Sequence, residues 1–222
     1  MNGKPFIDFG WIGGHLDDVV TRLLQHIELL LLALAIGFVV SIVLTLWSIR
    51  RPATVGPITA TTGLLYTIPS LAAFAVLRPI FGLSLVTAVI PLATYTLLIL
   101  YRQMVAGFRS VPDEVIEAAE GMGYTPRARL MRVELPLAVP LIMAGLRLAA
   151  VTTIGLATVA AVLGDKFGGL GQFLTEGLQT FFPTKIYLGA VLSVGLAVVA
   201  DGLLVLLERR MTPWARARAE RS

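Results

Sequence analysis

Residues 109–136 read Arg109-Ser-Val-Pro-Asp-Glu-Val-Ile-Glu-Ala-Ala-Glu-Gly-Met-Gly-Tyr-Thr-Pro-Arg-Ala-Arg-Leu-Met-Arg-Val-Glu-Leu-Pro136, a polar stretch between long apolar runs. Ser110 followed by Asp113 has the spacing of a helix start, and Asp113 with Glu114 puts negative charge on the first turn, where the helix dipole favours it. The pattern predicts a helix from about Val111 to Gly121. Val115, Ile116, Ala119 and Met122 fall on an apolar face, and Glu114, Glu117 and Glu120 on an acidic one. Gly121 and Gly123 are expected as left-handed stops. Thr125 then caps, and Pro126 opens, a second helix carrying Arg127, Arg129 and Arg132, which Pro136 ends before the next apolar run.

Outward from this stretch the chain is apolar. Of 222 residues 56% are hydrophobic and only 14% charged, and the mean hydropathy of +0.83 is that of an integral membrane protein. About 20 apolar residues cross a bilayer, which places spans at about 25–48, 58–77, 83–101, 137–163 and 186–207 of a single transmembrane domain covering 1–222. Met1–Leu24 is too charged to span. Its Phe6, Phe9 and Trp11 suit an interfacial segment, and it lacks the form of a signal peptide. Pro69 interrupts the second span and Pro91 lies inside the third. Such prolines are tolerated where protein or water satisfies the freed carbonyl, so both helices are expected to line a shared interior.

The net charge of +4 follows the membrane rather than nucleic acid, because no basic run is interleaved with aromatics. With the 109–136 loop inside the cell, Arg50, Arg51, Arg102, Arg109, Arg127, Arg129, Arg132, Arg209, Arg210, Arg216, Arg218 and Arg221 are inside, against Lys4, Arg22, Arg78, Lys166 and Lys185 outside. That bias predicts an external N-terminus and a cytosolic C-terminus.

Glu117-Ala118-Ala119, three residues, Gly123, nine residues, Val133, one residue and Leu135-Pro136 resembles the EAA loop of bacterial ABC-importer permeases, with Val133 replacing the usual isoleucine. The resemblance implies an all-α membrane fold of type I importer permeases: about five spans and a cytosolic helix-turn-helix coupling loop. In it Glu117 makes a polar contact with a separate ATPase, Ala118, Ala119 and Gly123 give close approach, and Val133, Leu135 and Pro136 join the loop to the next span. Tyr66-Thr-Ile-Pro-Ser-Leu-Ala72, Ile142-Met-Ala-Gly-Leu-Arg147 and Gly168-Gly-Leu-Gly171 are similar to the branch that carries glycine betaine, carnitine and choline. Asp165-Lys-Phe167 and Arg78 depart from that branch. The implied partners are a cytosolic ABC ATPase dimer, a second permease copy or a paralogue, an external substrate-binding protein and the lipid bilayer, with no nucleic acid. The implied cycle is alternating access.

No G-x-x-x-x-G-K-[ST] loop is present, and Lys166 is misplaced for one in Gly164–Gly171. No cofactor is expected in this chain, since ATP and magnesium would bind the partner ATPase, and no catalytic or metal-binding residues are expected. His15 and His26 each read as surface or interfacial residues. Thr62, Tyr66, Thr67, Ser70, Thr94, Thr152 and Thr153 are candidate path residues, although threonine in a span often bonds its own helix. Gly145, Ala149, Thr153, Ala157 and Ala161, and Gly189, Ser193 and Ala197, recur every fourth residue and read as packing ladders within one subunit rather than a pore lining. Arg147 and Asp201 are ionisable groups within spans. They either pair, or Arg147 snorkels to headgroups while Asp201 meets water. Another small solute, an amino acid or sulfonate, remains an alternative cargo. An ion-coupled carrier or channel fits less well, because Asp201 is the one clear intramembrane acid and no internal repeat is seen.

Overall fold

The computed structural model describes residues 7–164 and 167–213. Lys4, Phe6, Asp165, Lys166, Arg216, Arg218 and Arg221, used in the readings above, lie outside the described residues. In chain order the helices are α1 (Phe9–Gly14), α2 (Leu16–Arg50), α3 (Val55–Thr67), α4 (Ser70–Phe81), α5 (Leu85–Arg109), α6 (Asp113–Gly121), α7 (Pro126–Arg129), α8 (Leu135–Ala157), α9 (Gly171–Gln179) and α10 (Pro183–Met211). A π turn at Leu130–Glu134 joins α7 to α8, and a 3-10 segment, Thr158–Leu163, extends α8. Among the described residues four helices are long and apolar enough to cross a membrane: α2, α5, the continuous Pro126–Ala161 and α10. The bent pair formed by Pro52–Thr67 and Ser70–Phe81 makes a possible fifth span.

Several boundaries differ from the sequence expectation for physical reasons. The first long helix begins at Leu16 rather than near Gln25, because Asp17 and Asp18 suit its first turn and Arg22 bonds Asp18 at 3.1 Å one turn on. At 1.5 Å per residue its 35 residues reach about 52 Å, well beyond a hydrocarbon core of about 30 Å. Its charged outer turns therefore stand clear of the lipid. The second span is interrupted at Pro69 as expected, by a full break with an 89° bend between the two helices at Ile68-Pro69. Ile68 takes the extended conformation (φ −66°, ψ 125°) that a following proline imposes. Pro91 has no such effect, for α5 is buried between α2 and α8 and stays helical through it.

The core is a seam of α2, α5 and α8, closed at one end by α4 and the 3-10 segment. Leu29, Ala33, Phe74, Ala88, Leu92, Ala157 and Leu163 fill one end, and Leu100, Met104, Ala138, Ile142 and Ala149 the other. Small residues bring the backbones together. A Cβ on Gly37 would lie 1.7 Å from the Thr96 hydroxyl oxygen, and one on Gly145 2.6 Å from the Gln103 Cβ. Gly145, Ala149, Thr153, Ala157 and Ala161 are all buried, so this ladder packs within the chain. The α10 ladder begins the same way, with Gly189 against the Leu170 carbonyl and Phe173, and Ser193 donating to the Gly189 carbonyl at 2.7 Å.

At the α1 end, Asp8 caps α1 by accepting from the Trp11 amide at 2.9 Å, and its own amide donates to Thr184 at 3.0 Å. Trp11 lies edge-on to Phe173 and Phe182, with the Lys185 ammonium 5.2 Å from its ring centroid. Arg22 (3.4 Å) and Lys185 (2.6 Å) both reach Glu176 on α9. The outer ends of α2, α9 and α10 are thus tied through one carboxylate.

Candidate functional site

The polar stretch folds as a helix, a glycine corner and a second helix, but its parts are allotted differently from the sequence pattern. Ser110 does not cap α6. It ends α5, and its hydroxyl donates back to the Gly107 carbonyl at 2.8 Å. Pro112 occupies the cap position, so α6 starts at Asp113. Only Gly123 of the two corner glycines is left-handed, at φ +82°. Thr125 accepts from the Ala128 amide at 3.3 Å, and Pro126 opens α7. Pro136 does not end that helix. The chain stays helical from Pro126 to Ala161, because a π turn carries it past the proline, with the Leu135 amide donating to the Leu130 carbonyl.

That π turn governs the charges of the site. Five residues separate Arg129 from Glu134, which a regular α-helix would put out of register, yet Arg129 Nε donates to Glu134 at 2.7 Å. Arg129 also bonds Glu120 on α6. Glu134 is 5% exposed, so its charge is buried and paired. The arginine locks α6, α7 and the root of α8 into one block. The sequence pattern puts Arg129 in a second helix with Arg127 and Arg132 and hides the triad, because the one available signal lies at a spacing that α-helical periodicity discards.

The block presents part of the expected coupling surface to solvent. Glu117, Ala118 and Gly123 are exposed, Val133, Leu135 and Pro136 are half-buried, and Ala119 is 1% exposed. Ala119 therefore packs against its own chain and leaves the alanine contact to Ala118. Met122, expected on the inward apolar face, is exposed beside them, because the Gly123 corner turns the chain away before that face is covered. A cavity of about 430 Å³, lined by Ser48, Val55, Phe108, Asp113, Arg129 and Glu134 among others, lies behind the loop.

The path candidates scatter over two regions. Thr62, Tyr66, Thr67 and Ser70 flank the broken span, and Thr94 lies on α5 beside Tyr95, whose hydroxyl donates to the Ile68 carbonyl at the break. Thr152 and Thr153 lie on α8, with Thr153 buried in the packing ladder. Thr62 donates to the Ile58 and Thr59 carbonyls at 2.9 and 3.2 Å, Thr67 to Leu64 at 2.7 Å and Thr94 to Ile90 at 2.8 Å.

Arg147 of α8 makes a two-pronged contact with Asp201 of α10, Nε to Oδ1 at 2.7 Å and Nη2 to Oδ2 at 3.0 Å, and Glu208 lies 3.6 Å from Nη1. His26, expected at a surface, is fully buried. Its Nδ1 accepts from the Leu170 amide at 3.3 Å, so Nε2 carries the proton and donates to the Ile154 carbonyl at 3.1 Å. His15 is exposed and stacks on Trp11 with 4.2 Å between centroids. Among the described residues, no three His, Asp or Glu side chains are grouped to hold a metal ion.

Residues 37–213 match the family described as the binding-protein-dependent transport system inner membrane component. The chain is 36% identical over 196 residues to the choline transport system permease protein OpuBB of Bacillus subtilis, covering 88% of this chain and 89% of that one. It is 34% identical over 189 residues to the glycine betaine/carnitine/choline transport system permease protein OpuCB of the same organism, covering 85% and 86%. In fold it is similar to a chain of the MetNI methionine ABC transporter, with a TM-score of 0.78 at 21% identity over 90% of this chain and 98% of that one. A multi-pass helical chain with these matches belongs to the binding-protein-dependent inner-membrane permeases, the membrane-embedded transport subunits of ABC importers.

Proposed function

We propose that this chain is the permease of an ATP-driven importer for quaternary-ammonium osmoprotectants: glycine betaine, choline and carnitine. The cargo reading is supported by its relatives of near-full length, which are named as permeases for choline, glycine betaine and carnitine. The observation that carries the mechanism is the rigid block of α6, α7 and the root of α8, which exposes Glu117, Ala118 and Met122 at the end of a helix running into the membrane without interruption. A cytosolic ATPase pair docks on that block and holds ATP and its magnesium, while this chain holds no cofactor. A second copy or a paralogue completes the path, and an external binding protein delivers the solute. The lysine and arginine bias supports an external N-terminus and a cytosolic C-terminus. Nucleotide-driven approach of the two ATPases draws the loops together and turns the spans outward-open.

The test is ATP-dependent uptake of labelled glycine betaine and choline into vesicles containing the chain with its co-purifying ATPase and binding protein. Uptake of either that requires ATP supports the reading. Co-purification with uptake of an amino acid or sulfonate instead would keep the permease and replace the cargo, and failure of any ATPase to co-purify would sink the proposal.

A further inference from the structure

The break between α3 and α4 interrupts the helix, and its main-chain groups are met within the chain: the Ile68 amide donates to the Leu65 carbonyl, the Pro69 carbonyl accepts from the Ala73 amide, and the Ile68 carbonyl accepts from Tyr95. Tyr95, which bonds the Ile68 carbonyl, stands ten residues after Leu85 and fourteen before Arg109 in α5. These separations are about 15 and 21 Å along the helix axis, so the Ile68-Pro69 corner lies near mid-membrane. Ile68 is 41% exposed. Non-helical backbone at such depth persists only where protein covers it or water reaches it. Tyr66, Thr67, Ile68 and Pro69 are nevertheless all exposed on this chain, a surface available to the path that two permease subunits enclose in the importer reading.

The polar side chains around that corner are largely spent. The hydroxyls of Thr62, Thr67 and Thr94 all donate to carbonyls of their own helices. A solute that needs directional hydrogen bonds finds few there. A trimethylammonium group needs none, since it has no N–H and spreads its charge over methyl groups, which aromatic rings attract. Tyr66 supplies such a ring on the last turn of α3, 38% exposed. It meets Tyr95 edge-to-face, with centroids 5.6 Å apart and planes at 89°. Tyr95 is buried and anchored at the Ile68 carbonyl, so the Tyr66 ring has a fixed backing. The negative end of the α3 dipole lies at the same place and also favours a cation.

We infer that Tyr66, positioned by Tyr95, binds the quaternary ammonium of the solute through a cation–π contact midway across the membrane, an inference that rests on the importer reading above. Tyr66 is then a transient binding residue of the permease itself, separate from the site on the external binding protein. The proposal requires the ring and not its hydroxyl.

The experiment measures labelled choline uptake by the full complex in proteoliposomes, at saturating binding protein. It compares wild type, Tyr66→Phe, Tyr66→Leu and phenylalanine bearing one, two or three ring fluorines at position 66. Tyr66→Phe is expected to stay within about twofold of wild type, Tyr66→Leu to lose about tenfold, and uptake to fall stepwise as fluorine withdraws ring charge. Uptake by Tyr66→Leu equal to wild type, an equal loss in Tyr66→Phe, or a flat fluorine series would overturn the inference. If Tyr66→Leu does not assemble with the ATPase, the phenylalanine and fluorinated chains, which keep the ring's shape, decide the matter. Absence of choline, betaine or carnitine uptake by wild type strikes the importer reading instead, whereas normal wild-type uptake with indifferent ring variants strikes this inference alone.

Discussion

His26 stands in for two missing backbone partners. Where α8 tightens into its 3-10 segment, the Thr158 amide turns to Gly155 and Leu156, and the Ile154 carbonyl is left to the histidine. Across the ring, the Leu170 amide leaves the glycine turn to reach Nδ1. His26→Leu keeps the apolar bulk and strands both groups, at about 1–3 kcal/mol each. Thermal unfolding of the purified chain should therefore drop by several degrees, and an unchanged midpoint would count against the clamp. Gly169, at φ +48°, allows the approach, and a Cβ there would come within 2.9 Å of the ring. The burial of His26 could not be read from its apolar neighbours in sequence, because its partners are carbonyl and amide groups set free by a change of helix type. Gly123 is the opposite case: its place in the motif was plain. A Cβ there meets nothing within 4 Å, so backbone strain alone opposes substitution, at about 1–2 kcal/mol for an ordinary residue. Gly123→Val is expected to depress ATP-dependent uptake while leaving the membrane helices folded, and Gly123→Asn, which tolerates left-handed backbone, to retain more of it. Equal uptake in the two would argue against this account.

Among the elements, the motif spacing exposed the helix-corner-helix, and apolar runs exposed the long helices. What they hid were places where neighbours decide. Pro69 breaks its helix and Pro91 does not, a contrast set by what surrounds each proline rather than by the proline itself. The Ser110-to-Asp113 pattern is genuine as a spacing, but Pro112 is the better entry to α6 and Ser110 finishes α5. Arg147 and Asp201 were identifiable as misfits in apolar runs, and their meeting depended on the mutual approach of α8 and α10. Both side chains are about one-third exposed, so solvent limits what the pair contributes. In a double-mutant cycle of Arg147→Gln and Asp201→Asn the double variant should lose less detergent stability than the sum of the two single variants. Strict additivity would mean that α10 is held to α8 by its apolar seam of Leu196, Ala197, Ala200 and Leu204 alone.

Over the whole molecule, one end is charged and interlocked. Burial by itself would raise the Glu176 carboxyl, but the hydrogen bond and charge of Lys185, the charge of Arg22 and a hydrogen bond from Gln172 bring it below its ordinary value of 4.5. A carboxyl lowered in the folded state stabilises fully above its unfolded value and loses that contribution as pH falls through the folded one. The tie between α2, α9 and α10 should accordingly hold at neutral pH and loosen on that side of the membrane below pH 4.5. Hydrogen exchange in α9, followed with pH in wild type and Glu176→Gln, checks this: the wild type should become less protected in acid and the variant should be uniformly less protected. Identical acid profiles would sink the idea. At the opposite end, the π turn at Leu130–Glu134 sets a rotational phase. Removing one residue from it would restore an ordinary helix and swing α6 and α7 by about 100° around the axis of α8. Arg129 and Glu134 would lose their alignment, and the face that bears Glu117, Ala118 and Met122 would turn to another side of α8.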